Sequence, residues 1–441
     1  MLRTFLSARL VRPAQAFVHT EASGGLVLLA ATAAAIAWAN SPWDEAYYDL
    51  WHAGLSLDFN LVRIDETLGH FVNDGLMTIF FFVVGLEIKR ELVEGELASP
   101  RRAALPAVAA LGGMVVPALI YFAWNAGSSG QHGWGIPMAT DIAFALGALA
   151  LLGSRVSFGL KVFLLALAIV DDLGAIAVIA IFYTDDLSLE ALAWSGAALA
   201  LILAARRAGV RSTDVYVVLG ALLWVAVLKS GIHATIAGVV LAALTPARPY
   251  SDRAAFDDRV RDLLAQFRAA QAAGDHEREQ YLLKEMEWLA RGAESPLDRL
   301  ERVLHPWVSY LVVPLFALAN AGLIISSDAL RAAAESPVTM GIFMGLVLGK
   351  VTGITAFAWL AVRLGWAALP AGAGWADLAG AGLLAGIGFT VSLFITGLAF
   401  DDSLLIAEAK MGIFGASIAA GALGMAALSL RARHAAAHPS P

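Results

Sequence analysis

The chain has 441 residues, of which 59% are hydrophobic and 15% are charged. Soluble domains have about 25% charged residues, so this composition indicates an integral membrane protein rather than a soluble domain. The chain contains no cysteine, which excludes a disulfide scaffold and thiolate metal sites. The net charge of −7 says little, because in a membrane protein the charge of each connection matters more than the sum.

The chain begins with a basic segment that contains Arg3, Arg9 and Arg12 but no small-residue cleavage site. We interpret this segment as an uncleaved cytoplasmic lead-in rather than a signal peptide. Beyond it we identify twelve apolar segments, and about 20 apolar residues are the length that crosses a bilayer. They lie near residues 24–40, 68–88, 103–124, 134–153, 159–183, 188–205, 213–228, 231–245, 306–325, 338–362, 376–398 and 403–430.

The connections between these segments alternate in charge. Every second connection is basic, and residues 248–302 and the tail after residue 430 fall on the same side as the basic set. Cytoplasmic connections of membrane proteins carry the excess of Lys and Arg. The alternation therefore predicts that both termini are cytoplasmic, and the even number of segments agrees with this orientation.

The extracytoplasmic connection after the first segment has a period of two. Leu55, Leu57, Phe59 and Leu61 alternate with polar residues, which predicts a half-buried strand near 55–61, in a β-hairpin near 45–65. A lone hairpin is only marginally stable in water, so we expect it to pair with a second subunit. An irregular loop is the alternative.

The connection from 247 to 305 is rich in charge, with 22 Asp, Glu, Lys and Arg residues. Apolar residues recur in it at helical spacing on both sides of Gly274 and Asp275, which predicts a cytoplasmic helical hairpin. A solvated surface element and a regulatory element are both open interpretations.

The predicted organisation is 1–245 for the first eight membrane helices, 246–305 for the cytoplasmic insertion, 306–430 for the last four membrane helices and 431–441 for the tail.

Two adjacent carboxylates, Asp171 and Asp172, lie in a run that is otherwise apolar from Val162 to Tyr183. Each charge at the centre of a membrane helix costs roughly 2.5–3.5 kcal/mol on insertion scales. Because neighbours on a helix point about 100° apart, the two carboxylates cannot point the same way, and one can face an ion site while the other faces a partner on a second helix. The pair predicts transport or proton relay, and helix packing alone is the alternative.

Two apolar segments are interrupted by helix-breaking residues. In the fourth, Gly135 and Pro137 precede Thr140 and Asp141, which predicts a helix that stops and restarts in mid-membrane, with Thr140 or Asp141 capping its second half. Paired interruptions in the two halves of a chain indicate a transporter site between inverted repeats. The eleventh segment has the matching weakness, at Gly382, Gly386 and Gly388.

Asp141, Asp171 and Asp172 are therefore expected to converge at mid-membrane. Carboxylate oxygens and backbone carbonyls freed by broken helices suit small hard cations such as Na⁺ and Li⁺, and carboxylates suit H⁺ equally. Lys350 is a basic residue deep in another apolar segment, and a buried lysine needs a carboxylate, for which Asp171 is the natural candidate. The alternative is that the lysine reaches an interface by snorkelling.

Five motifs follow one another along nearly the whole chain: GLEIKREL at 85–92, ATDIAFALG at 139–147, IVDDLGA at 169–175, SGIHATIAG at 230–238 and LHPW at 304–307. In this order they resemble the motifs of NhaA-type bacterial sodium–proton antiporters. The resemblance implies an antiporter of the bacterial inner membrane, and we expect no organic cofactor, no enzymatic activity and no nucleic-acid partner.

The resemblance implies an all-α membrane protein of twelve helices in inverted repeats, with discontinuous fourth and eleventh helices that cross at mid-membrane. It also implies a homodimer joined by the extracytoplasmic β-hairpin.

The resemblance also assigns residues to the ion site. Asp172 matches the principal carboxylate for cations and protons, and Asp171 matches a second one that alternates between Lys350 and the ion pathway. Thr140 and Asp141 fall where the family compensates the crossing helix ends. Glu87, Arg90, Glu91, His233 and Glu301 resemble the family's pH-response region at the cytoplasmic funnel, and Asp74 matches an acidic position in the second helix.

The chain departs from the family in two places, both in the region associated with pH response. The cytoplasmic connection after the eighth segment is longer by several tens of residues, and Asp298 stands where a lysine is expected. These departures leave the pH profile open while the transport chemistry is unaffected.

The predicted function is pH-regulated, electrogenic export of Na⁺ or Li⁺ in exchange for external H⁺, by alternating access. An ion-coupled symporter of an organic solute and a passive channel are alternatives. An intramembrane aspartyl protease is not, because Gly386-Ile387-Gly388 is followed by Phe389 instead of the aspartate that such a site requires.

Overall fold

The computed structural model describes residues 23–58, 63–184, 187–210, 213–248 and 253–437. The basic segment with Arg3, Arg9 and Arg12 lies outside these residues. The first half of the chain forms nine α-helices in the described part. They are α1 (Ser23–Ala39), α2 (Asp44–His52), α3 (Leu68–Val93), α4 (Pro100–Asn125), α5 (Ile142–Leu152), α6 (Phe158–Phe182), α7 (Leu189–Arg207), α8 (Thr213–Leu228) and α9 (Thr235–Leu244).

The second half continues with α10 to α17. Three of the long helices contain a π-helical turn, at Phe71–Leu76 in α3, at Val308–Val312 in α12 and at Gly345–Gly349 in α14. The helices are α10 (Arg253–Ala273), α11 (His276–Ala293), α12 (Pro296–Asn320), α13 (Ser327–Glu335), α14 (Pro337–Arg363), α15 (Trp375–Leu384), α16 (Phe389–Ala399) and α17 (Ser403–Ala437), and 3₁₀ helices cover Glu96–Ala98, Ser129–Met138 and Gly153–Arg155.

Seven of the described helices are long and apolar enough to cross a membrane, namely α3, α4, α6, α7, α12, α14 and α17. Three bent pairs raise the number of such spans to ten: α1 with α2, bent by 114°, the 3₁₀ helix Ser129–Met138 with α5, bent by 41°, and α15 with α16, bent by 50°. The helices α8 and α9 are apolar but shorter. The protein is a multi-pass membrane protein of largely α-helical structure.

A two-stranded antiparallel hairpin follows α2. Strand β1 (Gly54–Asp58) pairs with β2 (Arg63–Thr67), with Ser56 opposite Asp65. The predicted strand near 55–61 overlaps β1, and the rest of it, residues 59–62, lies outside the described part of the chain.

The charged connection contains a helical hairpin made by α10 and α11. Leu263, Ala270, Leu282 and Leu289 form its small buried core, and the turn contains Gly274 in the left-handed region (φ 66°). The residues that flank the hairpin are close together, because the backbone N–H of Leu297 donates to the carbonyl oxygen of Pro246 over 3.2 Å.

Helix α12 begins ten residues before the predicted ninth membrane segment. Pro296 is its first residue, the Ser295 hydroxyl accepts from the backbone N–H of Asp298 (3.0 Å), and the helix continues through Pro306. The predicted boundary at 305/306 therefore lies inside a helix. Asp298, which replaces the expected lysine, occupies the first turn, where an acidic residue complements the helix dipole.

Close backbone contact brings α14 against α4. A Cβ atom added at Gly112 would lie 2.3 Å from the carbonyl oxygen of Gly353, and one added at Gly353 would lie 2.1 Å from that of Gly112. Glycine at both positions permits this approach. On the neighbouring face of α4, Met114 fills the space beside Gly174 of α6. Helix α4 thus holds together the helix that carries Lys350 and the helix that carries Asp171 and Asp172.

Candidate functional site

The first helix break lies between the 3₁₀ helix Ser129–Met138 and α5. The backbone is extended at Ala139 and at Asp141, and the Asp141 Oδ1 atom accepts from the backbone N–H of Phe144 over 3.1 Å. The sequence predicted Thr140 or Asp141 as the cap of the second half-helix, and in the structure the cap is Asp141. The cap satisfies one of the N–H groups that a helix start leaves without a partner.

The second break, between α15 and α16, meets the first. Asp141 Oδ2 accepts from the backbone N–H of Thr390 (3.1 Å) and from its hydroxyl (2.6 Å). The backbone N–H of Asp141 donates to the carbonyl oxygen of Ile387 over 2.6 Å. One carboxylate therefore binds the N-termini of both α5 and α16, where helix dipoles favour negative charge.

The carbonyl ends at the two breaks are also bound. The Lys350 ammonium contacts the carbonyl oxygen of Met138, the last residue of the 3₁₀ helix. The Thr140 hydroxyl lies 2.8 Å from the carbonyl oxygen of Ala385, just after α15. A cation beside helix carbonyl ends is stabilised for the same reason that a carboxylate is at N-termini.

The ion pair expected between Lys350 and Asp171 is confirmed. Lys350 Nζ contacts Asp171 Oδ2 directly, and both side chains are fully buried. The Thr140 hydroxyl lies 2.6 Å from the same carboxylate oxygen and 3.0 Å from Lys350 Nζ. Since Lys350 is enclosed by protein, its charge does not reach an interface by snorkelling.

Asp172 is buried beside Asp171, and the Oδ1 atoms of both carboxylates have no hydrogen-bond partner among the residues that the structure describes. Asp172 differs from Asp171 because it lines a cavity of about 60 Å³, together with Thr140, Asp141 and Thr390. A buried carboxylate oxygen without a partner is costly, so the arrangement favours a proton or a small cation on the Asp172 carboxylate.

The same cavity extends to a second charged group. Glu87 and His305 line it, and His305 Nε2 lies 3.7 Å from Glu87 Oε1. One turn further along α3, Arg90 contacts Glu301 of α12 and lies 3.9 Å from Glu91. Four of the five residues predicted for the pH-response region, Glu87, Arg90, Glu91 and Glu301, therefore lie together.

His233, the fifth of these residues, lies apart from this group. His233 Nδ1 lies 3.9 Å from Asp74 Oδ1, and its ring packs edge-on against Phe394 with centroids 5.4 Å apart. Asp74 precedes Glu87 by 13 positions on α3, which is about 20 Å at 1.5 Å per residue. His233 and Asp74 form a separate pair toward the other end of that helix.

Sequence reasoning gave no role to three residues of the site. Thr390 binds Asp141, Ser392 donates from its hydroxyl to the carbonyl oxygen of Ile136 over 2.8 Å, and His305 lines the cavity. Their positions in the sequence could have indicated these residues, because Thr390 and Ser392 follow the glycine-rich break and His305 lies in the LHPW motif.

A family model and several curated proteins match nearly the whole length of this chain. The model of the family described as Na⁺/H⁺ antiporter 1 matches residues 15–428. The protein named Na(+)/H(+) antiporter NhaA 2 of Syntrophotalea carbinolica is 48% identical over 428 residues, which cover 96% of this chain and 98% of that protein. Those named Na(+)/H(+) antiporter NhaA of Syntrophobacter fumaroxidans and Oleidesulfovibrio alaskensis are 48% and 50% identical, over 95% and 94% of this chain and 90% and 92% of theirs.

Proposed function

Because the chain belongs to the Na⁺/H⁺ antiporter 1 family, we propose that it exports Na⁺ or Li⁺ in exchange for H⁺. The observation that carries the proposal is Asp172, a buried carboxylate whose Oδ1 lacks a partner among the described residues and which lines a small cavity at two helix breaks. Cation and proton compete for this oxygen, and that competition couples the two ions.

The neighbouring residues have distinct parts in the exchange. A dehydrated Na⁺ needs several oxygen ligands, and Thr140 and Asp141 line the same cavity as Asp172. Asp171 Oδ2 is bound to Lys350 and Thr140, and Asp171 does not line the cavity, so Asp171 joins the cation when its carboxylate leaves the lysine. Binding of the cation displaces protons from the carboxylates, and after reorientation protons from the other side displace the cation.

The size of the cavity favours a small cation over an organic solute. Sites for drug-sized ligands are about 300–1,000 Å³, whereas this cavity is about 60 Å³. Cation–proton exchange is therefore preferred over solute symport.

The proposal extends to architecture and location. Ten possible spans together with the shorter α8 and α9 give twelve helices in the arrangement we propose, in inverted repeats with the two broken helices crossing at mid-membrane. Contacts between the breaks at Asp141, Ile387 and Thr390 support the crossing. We place the protein in the bacterial inner membrane with cytoplasmic termini, as a homodimer joined through the hairpin of β1 and β2.

The exchange is proposed to be electrogenic, to work by alternating access and to respond to pH through Glu87, Arg90, Glu91 and Glu301. Their location supports the last point, because Glu87 and His305 line the cavity that reaches Asp172. Asp74 and His233 are proposed to act at the opposite end of the pathway.

Proton movement in everted membrane vesicles tests the function. Addition of Na⁺ or Li⁺ without any organic solute is expected to collapse a preformed ΔpH, with a response that varies across a pH series. Absence of a response to either cation at every pH would contradict the proposal. A response that requires an organic solute would favour symport, and a response that does not saturate with cation concentration would favour a channel.

A further inference from the structure

The 3₁₀ helix Ser129–Met138 is unusually long for its type. Runs of more than three or four residues are uncommon because the hydrogen-bond geometry is poor, yet this one has ten residues. It ends at Met138, whose carbonyl oxygen contacts Lys350, and two residues before Thr140. Contacts that hold this segment in place therefore also set the position of ion-site atoms.

Two tyrosine hydroxyls bind the backbone of the segment. Tyr121 of α4 donates to the carbonyl oxygen of Gly130 over 2.6 Å. Tyr183, directly after α6, donates to the carbonyl oxygen of His132 over 2.8 Å and accepts from the N–H of Gly135 over 3.2 Å. Ser392 of α16 and Lys350 of α14 bind the far half of the segment, so it is held by donors on three helices and by Tyr183 directly after α6.

The fit around the tyrosines is tight. A Cβ atom added at Gly133 would lie 2.5 Å from the Tyr121 hydroxyl oxygen, and one added at Gly135 would lie 2.8 Å from that of Tyr183. Glycine thus lets each hydroxyl reach the backbone. Tyr121 is fully buried and lies on α4, whose Gly113 is next to the Lys350 side chain. Tyr183 directly follows α6, which carries Asp171 and Asp172.

We infer that Tyr121 and Tyr183 are positioning residues of the ion site, an inference that rests on the proposed function. Neither lines the cavity beside Asp172, so they act through the 3₁₀ segment. Their hydroxyls fix the Met138 carbonyl and Thr140 relative to Lys350 and Asp171. Binding sites lose affinity when ligand atoms shift by more than about 0.5 Å, so a loosened segment weakens cation binding first.

The test uses Tyr121→Phe and Tyr183→Phe in the full chain, each of which removes only a hydroxyl. In everted vesicles the apparent KM for Na⁺ and for Li⁺ is expected to rise about three- to tenfold, the range that loss of one hydrogen bond produces. The maximal rate is expected to change by less than about twofold, the split that marks lost binding rather than lost chemistry.

Tyr47→Phe is the matched control. Tyr47 is also fully buried, and its hydroxyl oxygen lies 2.9 Å from the carbonyl oxygen of Leu318 and 3.1 Å from that of Ala319, either of which accepts its hydrogen, away from both breaks. This variant is expected to lower the melting temperature as much as the other two while the KM stays unchanged. If Tyr183→Phe fails to fold, Gly135→Ala, which forces a Cβ atom against the hydroxyl, is expected to raise the KM in its place.

The outcomes separate two failures. Wild-type protein without cation-dependent proton movement would overturn the proposed function. If the wild-type protein is active, the positioning inference is overturned by either of two results. The folded tyrosine variants keep the wild-type KM, or Tyr47→Phe raises the KM as much as they do.

Discussion

The buried ion site and the helical hairpin of α10 and α11 both concentrate charge, but in opposite surroundings. Lys350 and Asp171 are fully buried, and each depends on protein groups for its partners. In the hairpin, the side chains of Arg259 and Asp262 are 52% and 53% exposed, so water solvates them. The number of charges in a region therefore says little about how much each one matters to the protein. A charge without water around it needs a partner, and one such side chain is expected to matter more than the whole hairpin.

The strongest test of this contrast is Asp172→Asn. The amide keeps the shape but holds no exchangeable charge for a cation, so exchange is expected to fall to background while the protein stays folded. Sodium-driven proton movement in vesicles measures the effect, with the thermal melt as a check on folding. Asp257→Asn in the hairpin, where the carboxylate lies 2.7 Å from Arg261 at the surface, is the control and should leave exchange unchanged. Near-normal exchange by Asp172→Asn would show that this buried carboxylate matters no more to transport than the exposed Asp257.

Lys350→Ala is expected to have the next largest effect. Removing one partner of a buried ion pair costs about 3–5 kcal/mol, whereas an exposed pair such as that of Arg259 and Glu285 contributes about 0–1 kcal/mol. Unfolding of the purified protein should therefore shift strongly for Lys350→Ala and little for Arg259→Ala. Adding Asp171→Asn to the first variant should restore part of the stability, because the unpaired charge is then gone. Equal shifts for Lys350→Ala and Arg259→Ala would show that burial does not set the cost.

Thr390→Val is expected to have a smaller effect than Lys350→Ala. The change removes the hydroxyl that donates to Asp141 over 2.6 Å and keeps nearly the same volume. A lost hydrogen bond to a charged group is worth about 1.5–3 kcal/mol, so we expect a moderate loss of thermal stability and weaker cation binding. Thr184→Val, whose hydroxyl donates to the carbonyl oxygen of Ala180 near the end of α6, is the control. The role of Thr390 would be refuted by equal melting temperatures and equal cation affinities in the two variants.

Deletion of residues 255–292 is expected to have the smallest effect on transport. The hairpin has its own core, and its two ends are held together by the hydrogen bond between Pro246 and Leu297, so a short remnant closes the gap. Exchange rates should stay close to the wild-type values. A correctly inserted but inactive protein would show that the hairpin contributes to transport and that the contrast between the two regions fails.

Local features of the sequence were sufficient for a large part of this description. The two helix breaks follow from glycine and proline in apolar runs, and the cap at Asp141 follows from the needs of a helix start. The pairing of Lys350 with Asp171 follows from the cost of a buried charge. In each case one strong energetic requirement acts at a known position, and few residues are able to meet it.

Other features depended on packing between segments that are far apart in the sequence. The binding of Thr390 to Asp141 joins residues 249 positions apart. His233 is paired with Asp74 instead of the group around Arg90, because the direction of α9 against α3 is not encoded in either segment alone. Hydropathy did not predict the start of α12 at Pro296, because the first turns of this helix are as charged as a connection between membrane helices.

The amino-acid sequence by itself determined that the chain is a membrane protein, where its apolar helices lie, where two of them break and which acidic and basic side chains are stranded between apolar neighbours. Only the tertiary structure decided which of those side chains are bound to each other and which of the two adjacent carboxylates, Asp171 and Asp172, lines a cavity. The physical reason is that hydropathy and helix breaking act over a few neighbouring residues, whereas the pairing of buried charges depends on how separate helices meet in three dimensions.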